Sequence, residues 1–234
     1  MDFPSLLIPG TLASRYKRFF ADVLLADGSA VTAHCPNPGS MLGLAVPGSK
    51  VWLSRSDSPT RKLAHTLELV EADGALVGVN TLLPNRIVEE ALRAGAIPEL
   101  AGYPSLRREV RYGARSRVDF LLEHPDRPAC YLEVKSVTLA RRPGLAEFPD
   151  SVSARAAGHL EELEAMVSAG ARAVALFLTQ RTDCAAFSVA ADIDPKFSAA
   201  LARATRGGVE VLCYGCEVGP GGITLTRPIE WKVP

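Results

Sequence analysis

The chain has 234 residues, of which 47% are hydrophobic and 22% are charged, and its 26 basic side chains balance 26 acidic ones. This length allows one large or two small domains, and the composition excludes a disordered chain or an acidic tail. Zero net charge excludes a uniformly basic nucleic-acid binder, so any nucleic-acid contact must come from local clusters of cations.

Short β-type runs separated by turn signals fill the chain from Leu6 to Val79. The dipeptides Asp27-Gly28 and Asp73-Gly74 are typical of hairpin turns, and such runs flank each of them. About five strands at close spacing, with little helical periodicity, predict a small β-barrel or sandwich. The pattern breaks within residues 80–86, so we end the first domain (residues 1–82) there and begin the second (residues 83–234).

Beyond this boundary helices and strands alternate. A continuous apolar run at Ala173–Leu178 is typical of a buried parallel strand. The predicted order, which is that of an α/β sandwich, is a helix from Ile87 to near Gly95, strands at Arg117–Glu123 and Cys130–Val137, a helix at Ala154–Ala169, the strand at Ala173–Leu178, a helix at Pro195–Thr205 and a strand at Gly208–Cys213.

Acidic and basic side chains project from one face of the first strand pair of this domain. Glu133 and Lys135 share a face because strand side chains alternate with a period of two. If the hairpin is symmetric about Asp126, Asp119 lies directly across from Glu133, and two carboxylates so placed repel each other. Mg²⁺ removes such repulsion because it prefers oxygen ligands, and the set then suits metal-assisted phosphodiester hydrolysis, with Lys135 orienting or activating a water. The spacing alone equally fits a surface salt bridge of Glu133 with Lys135 or Arg117.

Asp119, followed by Glu133-Val134-Lys135, resembles the signature of the PD-(D/E)XK nuclease superfamily. Over its whole length the chain resembles the sugar fermentation stimulation protein A family. The stretches that carry this resemblance include Arg15-Tyr16-Lys17-Arg18-Phe19, His34-Cys35-Pro36-Asn37-Pro38-Gly39-Ser40-Met41, Pro84-Asn85-Arg86, Ser116-Arg117-Val118-Asp119-Phe120 and Leu132-Glu133-Val134-Lys135-Ser136-Val137-Thr138-Leu139.

The resemblance implies an N-terminal OB-fold-like β-barrel and a C-terminal α/β/α PD-(D/E)XK nuclease-like domain. It also implies DNA binding without strong sequence preference and a regulatory link to sugar (maltose) metabolism. Carried over to this chain, it makes Asp119 and Glu133 the ligands of Mg²⁺ or Mn²⁺ and Lys135 the catalytic lysine. Superfamily members often add a carboxylate from the preceding helix, and we choose Glu90 over Glu89 for that role.

Clusters of cations are the candidate nucleic-acid contacts. Tyr16, Phe19 and Phe20 are interleaved with one cluster, as in OB-fold platforms, although aromatic residues at strand entries usually pack inward and we expect these to do so. A second cluster, residues 107–117, has five arginines against one acid and leads into Asp119, although it also fits a solvated strand edge. The residues that we select are Arg15, Lys17, Arg18, Arg61, Lys62, Arg115, Arg117 and Arg155.

We therefore expect a DNA-binding protein with a nuclease site that depends on Mg²⁺ or Mn²⁺ and acts on single-stranded or structured DNA. One alternative is a DNA-binding regulator whose nuclease-like site no longer cuts. Another is a role directed at RNA, which an OB-like domain also permits. The oligomeric state stays open at this point.

We expect a cytoplasmic protein, because no apolar run reaches the roughly 18 residues of a membrane span and the amino terminus lacks a basic signal region. The odd number of cysteines, five, indicates reduced thiols. Cys213 and Cys216 have C-x-x-C spacing but lack the two further ligands of a structural zinc site, so we discount them. Gly219-Pro220-Gly221-Gly222 is interpreted as a turn and not as a phosphate loop.

Overall fold

The computed structural model describes residues 1–113 and 116–232 and begins with a closed β-barrel. Its strands follow the order β3-β2-β1-β4-β5, and parallel pairing of β3 with β5 closes the barrel, while β6 extends β5 as a hairpin. The predicted OB-like barrel is confirmed. The strands are β1 (Ile8–Tyr16), β2 (Phe20–Leu25), β3 (Ala30–His34), β4 (Lys50–Arg55), β5 (His65–Ala72) and β6 (Ala75–Gly78).

Alternation along the strands fills the barrel. Leu12, Val23 and Leu53 point inward and are almost completely buried, because every second strand residue faces the interior. The hairpin between β5 and β6 turns at Asp73-Gly74, where both residues adopt positive φ (53° and 79°). A tight hairpin turn needs this backbone, so the dipeptide predicted the turn correctly.

The second domain is built on a six-stranded sheet in the order β15-β14-β12-β9-β8-β7. A smaller sheet in the order β10-β11-β13-β16 lies beside it and was not predicted, because its strands are only three or four residues long. The elements are α1 (Pro84–Arg93), a single 3-10 turn (Pro98–Leu100), β7 (Ser105–Tyr112), β8 (Ser116–His124), β9 (Arg127–Val137), β10 (Leu139–Arg142), β11 (Leu145–Phe148), α2 (Ala154–Ser168), β12 (Arg172–Thr179), β13 (Ala186–Val189), α3 (Pro195–Arg206), β14 (Glu210–Gly219), β15 (Gly222–Pro228) and β16 (Glu230–Lys232).

Helices cover both faces of the large sheet. On one face Ile87 and Val88 of α1 pack into a core with Leu132 and Leu176. On the other face α2 and α3 pack into a second core that includes Phe177. Strands β9 and β12 pair in parallel, as expected for the apolar run at Ala173–Leu178. The predicted α/β/α nuclease-like architecture is therefore confirmed.

The amino-terminal residues lie with the second domain, although they precede the barrel in the sequence. Met1 to Phe3 run antiparallel to Gly221–Ile223, with a hydrogen bond from Ile223 N to Met1 O of 2.9 Å. Met1 and Leu7 are buried in the core that contains α1. The first residues of the chain therefore pack with the second domain, and the barrel follows them in the sequence.

None of the helices in the described residues is long and apolar enough to cross a membrane. The five cysteines all lie within the described residues, where each is buried and free of disulfides. Cys213 and Cys216 sit on opposite faces of β14, in different cores, so the C-x-x-C spacing does not bring the two thiols together. Gly219–Gly222 forms the tight turn between β14 and β15, as predicted.

Candidate metal and nucleic-acid site

The centre of the site is the strand pair β8–β9, in the predicted register. Phe120 pairs with Leu132 and Leu122 pairs with Cys130, which brings the Asp119 position opposite Glu133. Asp119 Oδ2 accepts a hydrogen bond from the backbone N–H of Val134 at 2.7 Å. This contact ties the Asp119 carboxylate to the strand that carries Glu133.

Glu133 and Lys135 form a buried ion pair on the sheet face that is covered by α2. Lys135 Nζ donates to Glu133 Oε1 at 2.8 Å, and the two residues are only 8% and 3% exposed, respectively. The alternative of a solvated surface salt bridge is therefore wrong. His159 Nδ1 also contacts Glu133 Oε1 and lies 3.3 Å from Lys135 Nζ, so three ionisable groups meet at one oxygen. The other oxygen, Oε2, is buried and has no hydrogen-bond partner in the described part of the chain.

Helix α2 brings His159 and Arg155 to the strands. The helix begins after Ser153, whose hydroxyl caps it by accepting from Ala156 N at 3.2 Å. Residues four apart share a helix face, and Arg155 Nε accordingly donates to His159 Nε2 at 3.3 Å. Arg155 itself is exposed, so its guanidinium borders the site from the solvent side.

Helix α1 contributes an amide and not the expected carboxylate. Asn85 Nδ2 donates to Asp119 Oδ1 at 2.7 Å. Glu90 lies on another side of α1 and pairs instead with the amino-terminal ammonium of Met1 at 2.8 Å. Glu89 is engaged by Arg93 and Arg108. The structure therefore does not bring Glu90 to the site, because burial of the amino terminus beside α1 gives that carboxylate a different partner.

The two central carboxylates have opposite pKa shifts. Burial, and then the nearby charge of Glu133, raise the pKa of Asp119 from 3.8 to about 6, although bonds from Val134 and Asn85 oppose the shift. Burial would also raise the pKa of Glu133, but the bond from His159 and the charge of Lys135 outweigh it and hold that pKa below its ordinary value. The site therefore keeps one carboxylate firmly ionised and destabilises the charge on the other.

Three neighbouring hollows that share lining residues lie over these carboxylates, and together we call them the groove. A cleft of about 540 Å³ lies between the barrel and the second domain, and we call it the interdomain cleft. It joins a smaller hollow of about 300 Å³ that is lined by Asn85, Asp119 and Lys135. Beyond Asp119 the groove widens beside α2, where Arg117 and Glu162 line it. The interdomain cleft is lined by residues that include Arg18, Asn37, Ser40, Lys135 and Asp150.

A loop of the barrel, residues 37–41, forms one wall of the interdomain cleft. Ser40 Oγ donates to the Asp150 backbone oxygen at 2.7 Å, and Met41 N donates to Asp150 Oδ2 at 2.9 Å. Arg15 holds the same loop through its Nη2, which donates to the carbonyl oxygens of Asn37 and Gly39 at 2.8 and 2.9 Å. Arg15 was selected as a nucleic-acid contact, but its guanidinium is hydrogen-bonded to this loop.

The other selected cations lie at the edges of this system. Lys17 and Arg18 are exposed in the β1–β2 turn, both with positive φ (48° and 64°). Arg61 and Lys62 are exposed on the β4–β5 loop, and Arg61 Nη2 donates to Thr66 Oγ1 at 2.8 Å. Arg117 is exposed at the wider end of the groove. Arg115 lies outside the described residues.

The aromatic residues of the β1–β2 turn do not pack inward as expected. Tyr16 and Phe19 are 39% and 45% exposed. The rings of Tyr16 and Phe20 stack, with centroids 5.5 Å apart and planes 12° apart. The expectation failed because small and aliphatic side chains such as Ala21 and Val23 already fill the interior of the barrel.

Sequence reasoning missed three residues of the site. Asn85 lies in a stretch that carried the family resemblance, but its amide gave no signal of a carboxylate partner. His159 contacts Glu133 from 26 residues further along the chain, and nothing in the local sequence indicates this contact. Asp150 makes its bonds to the barrel loop across 109 or more residues of sequence, a separation at which no local pattern operates.

Comparison with known proteins matches both domains to one family. The model described as "SfsA N-terminal OB domain" matches residues 14–79, and that described as "Sugar fermentation stimulation protein RE domain" matches residues 82–222. The chain is 61% identical over 230 residues to a sugar fermentation stimulation protein homolog of Rhodospirillum centenum, covering 98% of this chain and 99% of the relative. It is 57% identical over 232 residues to the homolog of Caulobacter vibrioides, covering 99% and 97%. Among solved structures, Pyrococcus furiosus SfsA in complex with Ca²⁺ superposes with a TM-score of 0.89 at 26% identity, covering 99% of this chain and 98% of that one.

Proposed function

The chain belongs to the sugar fermentation stimulation protein family, and from that premise we propose that it binds DNA and hydrolyses phosphodiester bonds with a divalent cation at Asp119 and Glu133. One observation carries this proposal. The two carboxylates meet in a groove, and Glu133 Oε2 is buried there without a hydrogen-bond partner among residues 1–113 and 116–232. A buried anionic oxygen with no partner is costly unless a cation or a donor reaches it.

The donor set suits a hard cation. Mg²⁺ is usually bound through one or two carboxylates, with waters and substrate phosphates completing its shell, and Mn²⁺ also favours oxygen ligands. Within residues 1–113 and 116–232, no three His, Cys, Asp or Glu side chains converge as a complete metal-binding group. Asp119 and Glu133 would supply two carboxylate ligands, and waters and substrate phosphates would complete the shell of the cation. The solved Pyrococcus furiosus relative was described in complex with Ca²⁺, another oxygen-seeking cation.

Each side chain of the site has its own role in the proposed hydrolysis. When bound, the cation would offset the negative charge that develops on the phosphate. Lys135, fixed by Glu133, orients the attacking water or stabilises charge on the phosphate oxygens through its remaining N–H groups. His159 holds Glu133 in place, and the exposed Arg155 next to it contacts a phosphate of the bound strand.

The cations around the groove would hold the DNA backbone. Arg18 borders the interdomain cleft and Arg117 borders the far end of the groove, so phosphates on both sides of Asp119 meet a guanidinium. The chain is neutral as a whole, so these local contacts should give a modest affinity that depends on salt. Free buried thiols accord with the reducing cytoplasm in which we place the protein.

The test is cleavage by the purified full-length protein. Single-stranded, duplex and structured DNA are incubated with Mg²⁺, Mn²⁺ or EDTA, using the wild-type chain, Asp119→Ala and Glu133→Ala. Glu123→Ala is the matched control, because Glu123 lies on the same strand as Asp119 but pairs with Arg107 at the surface. We expect cation-dependent cleavage that both site variants lose and the control retains.

Two outcomes contradict the nuclease proposal. If the wild-type chain binds DNA but does not cleave it, the protein is a DNA-binding regulator whose site no longer cuts. One observation favours this second candidate: α1 presents the amide of Asn85 where the superfamily often presents a carboxylate, which leaves one fewer anionic ligand. Equal cleavage by the wild-type chain and both site variants would instead reveal a contaminating nuclease.

A further inference from the structure

Two walls and a buried floor bound the interdomain cleft. Residues 37–40 of the barrel line one wall, and Asp150 of the second domain lines the other. The floor is lined by Thr138, Leu139 and Glu147, which are 8%, 2% and 2% exposed. A strand in the cleft therefore lies between the two domains and above β10 and β11.

The two walls are joined to each other on the solvent side of the cleft. Ser40 Oγ donates to the Asp150 backbone oxygen at 2.7 Å and lies 3.2 Å from Asp150 Oδ2. The same carboxylate oxygen accepts from Met41 N at 2.9 Å. Ser40 is exposed whereas the floor is buried, so these bonds cross the cleft on its outer side. We call the contacts of Ser40 and Met41 with Asp150 the domain bridge.

The domain bridge is closely packed and held from the barrel side. A Cβ on Gly39 would lie only 2.6 Å from Asp150 Oδ2, so the loop is in direct contact with this carboxylate. Arg15 fixes the loop in this position through bonds to the carbonyl oxygens of Asn37, Gly39 and Ser40 at 2.8, 2.9 and 3.2 Å. A nucleotide does not fit between groups in direct contact, so a strand cannot enter the cleft sideways while the bridge is closed.

The covered cleft continues into the hollow that contains the carboxylates. Lys135 and Ser153 line both the interdomain cleft and the hollow lined by Asp119. On the other side of Asp119 lies the wider part of the groove beside α2. A strand that passes over Asp119 therefore has the wide part of the groove on one side and the covered cleft on the other.

We propose that the interdomain cleft receives the free end of a DNA strand, so that the protein binds DNA from an end and excludes closed circles. An end can be threaded under the domain bridge, whereas a circle can enter only after the bridge has opened. Opening breaks two hydrogen bonds, and each is equivalent to about fivefold in an equilibrium constant. The inference rests on the proposed function for DNA as the ligand, and it adds that the substrate must have a free end.

The first measurement is equilibrium binding to the full-length wild-type chain in EDTA, which prevents cleavage. The probes are linear fluorescent oligo(dT), the same oligo(dT) closed into a circle, and linear oligo(dT) with biotin–streptavidin on both ends. We expect the circle and the blocked strand to bind about 30-fold more weakly than the open strand, because both require an opened bridge.

Three results of this measurement would overturn the proposal. One is equal affinity for all three probes. Another is weak binding of the circle beside full affinity for the blocked strand, because curvature and not the missing end would then exclude the circle. Tighter binding of linear oligo(U) than of linear oligo(dT) would overturn the assignment to DNA.

The second measurement opens the domain bridge. Asp150→Ala removes the acceptor of the Met41 N–H, so the preference for the open strand over the circle should fall from about 30-fold to about fivefold. The lost negative charge acts on both probes alike, so this ratio isolates the bridge. Ser29→Ala is the matched control, because it removes a hydroxyl bond to Asp27 in an exposed turn of the barrel, and it should keep the full preference. An unchanged preference in Asp150→Ala, in a chain that still binds the open strand, would overturn the bridge as the cause.

Failure of the end-binding cleft and failure of the nuclease proposal give different results. A wild-type chain that prefers the open strand but cuts nothing with Mg²⁺ or Mn²⁺ would refute the nuclease and support the end-binding cleft. A chain that cuts circular and linear single strands at equal rates would refute the end-binding cleft and support the nuclease.

Discussion

The side-chain amide of Asn85 donates a hydrogen bond of 2.7 Å to Oδ1 of Asp119, and this bond joins α1 to the central strand pair. The bond favours the ionised form of Asp119, whose charge burial and Glu133 both disfavour. Asn85 thus keeps the second carboxylate of the site ready for a cation without adding a negative charge of its own.

Cation affinity should therefore depend on Asn85 and not on Glu90. Asn85→Ala removes a bond worth about 1 kcal/mol, so affinity for Mn²⁺ should fall about fivefold by calorimetry. Asn85→Asp adds a third carboxylate and should raise the affinity at least about tenfold, because hard cations prefer anionic oxygen ligands. Glu90→Gln is the control, since Glu90 pairs with Met1 away from the site. A loss of affinity in Glu90→Gln that exceeds the loss in Asn85→Ala would contradict this assignment.

Stability should decrease with rising pH because of Asp119. Its pKa rises from 3.8 to about 6 in the folded chain, so its protonated form is favoured by folding. That contribution is complete below pH 3.8 and is lost as pH rises through about 6, and it amounts to about 3 kcal/mol. The side chain of Asp119→Asn does not titrate, so this variant should not show the decline. Any change that the amide makes to the free energy of unfolding is the same at every pH.

Urea unfolding in EDTA at intervals from pH 4 to pH 7 measures this effect. The free energy of unfolding of the wild type should fall by about 2 kcal/mol relative to Asp119→Asn over that range, which covers most of the titration. Mg²⁺ at pH 7 should then stabilise the wild type and not the variant, because a ligand stabilises the state that binds it. Parallel pH profiles for the two proteins would show that Asp119 has an ordinary pKa.

Local periodicity was sufficient to predict the centre of the site. Asp119, Glu133 and Lys135 lie on adjacent strands, and the period of two together with hairpin symmetry gave their common face and register. The same kind of argument predicted α2 to within one residue, because its cap and its terminal glycine are sequence signals.

The remainder of the site depends on tertiary contacts that no local pattern encodes. Glu90 and Asn85 share a helix, and which of them faces Asp119 is decided by how α1 packs on the sheet and by Met1 buried beside it. Arg15 was predicted to contact nucleic acid, but in the folded barrel its guanidinium binds the loop at residues 37–41. The exposure of Tyr16 likewise follows from closure of the barrel, which small inward side chains already fill.

Substitution of Lys135 should lower the free energy of unfolding far more than substitution of a lysine in a surface ion pair. Lys135→Met leaves the buried Glu133 without its ammonium partner, and removal of one member of a buried pair costs about 3–5 kcal/mol. Lys50→Met is the matched control, because Lys50 is 68% exposed and pairs with Glu71 at the surface, where the loss should be at most about 1 kcal/mol. Cleavage by Lys135→Met should fall at least about 100-fold, as expected for loss of a group that acts on the water or the phosphate. Equal destabilisation by the two substitutions in urea unfolding would contradict the buried pair.

Contact between the domains should depend on Gly39 and Asp150 as a coupled pair. A Cβ on Gly39 would lie 2.6 Å from Asp150 Oδ2, the oxygen that accepts the hydrogen bond from Met41 N. Gly39→Ala should therefore displace the Asp150 carboxylate, break its bonds to the loop and cost about 1–3 kcal/mol. Gly219→Ala is the control, because a Cβ there meets no atom of the described residues within 4 Å.

A double-mutant cycle separates this clash from a general effect of alanine in the loop. Asp150→Ala removes the same hydrogen bonds, so Gly39→Ala should cost less in that background than alone, with a coupling energy of about 1–3 kcal/mol in urea unfolding. Hydrogen exchange at the Met41 amide should accelerate in either single variant, because that N–H loses its acceptor. Additive costs, with an unchanged Met41 exchange rate in Gly39→Ala, would show that the Asp150 carboxylate tolerates the methyl group.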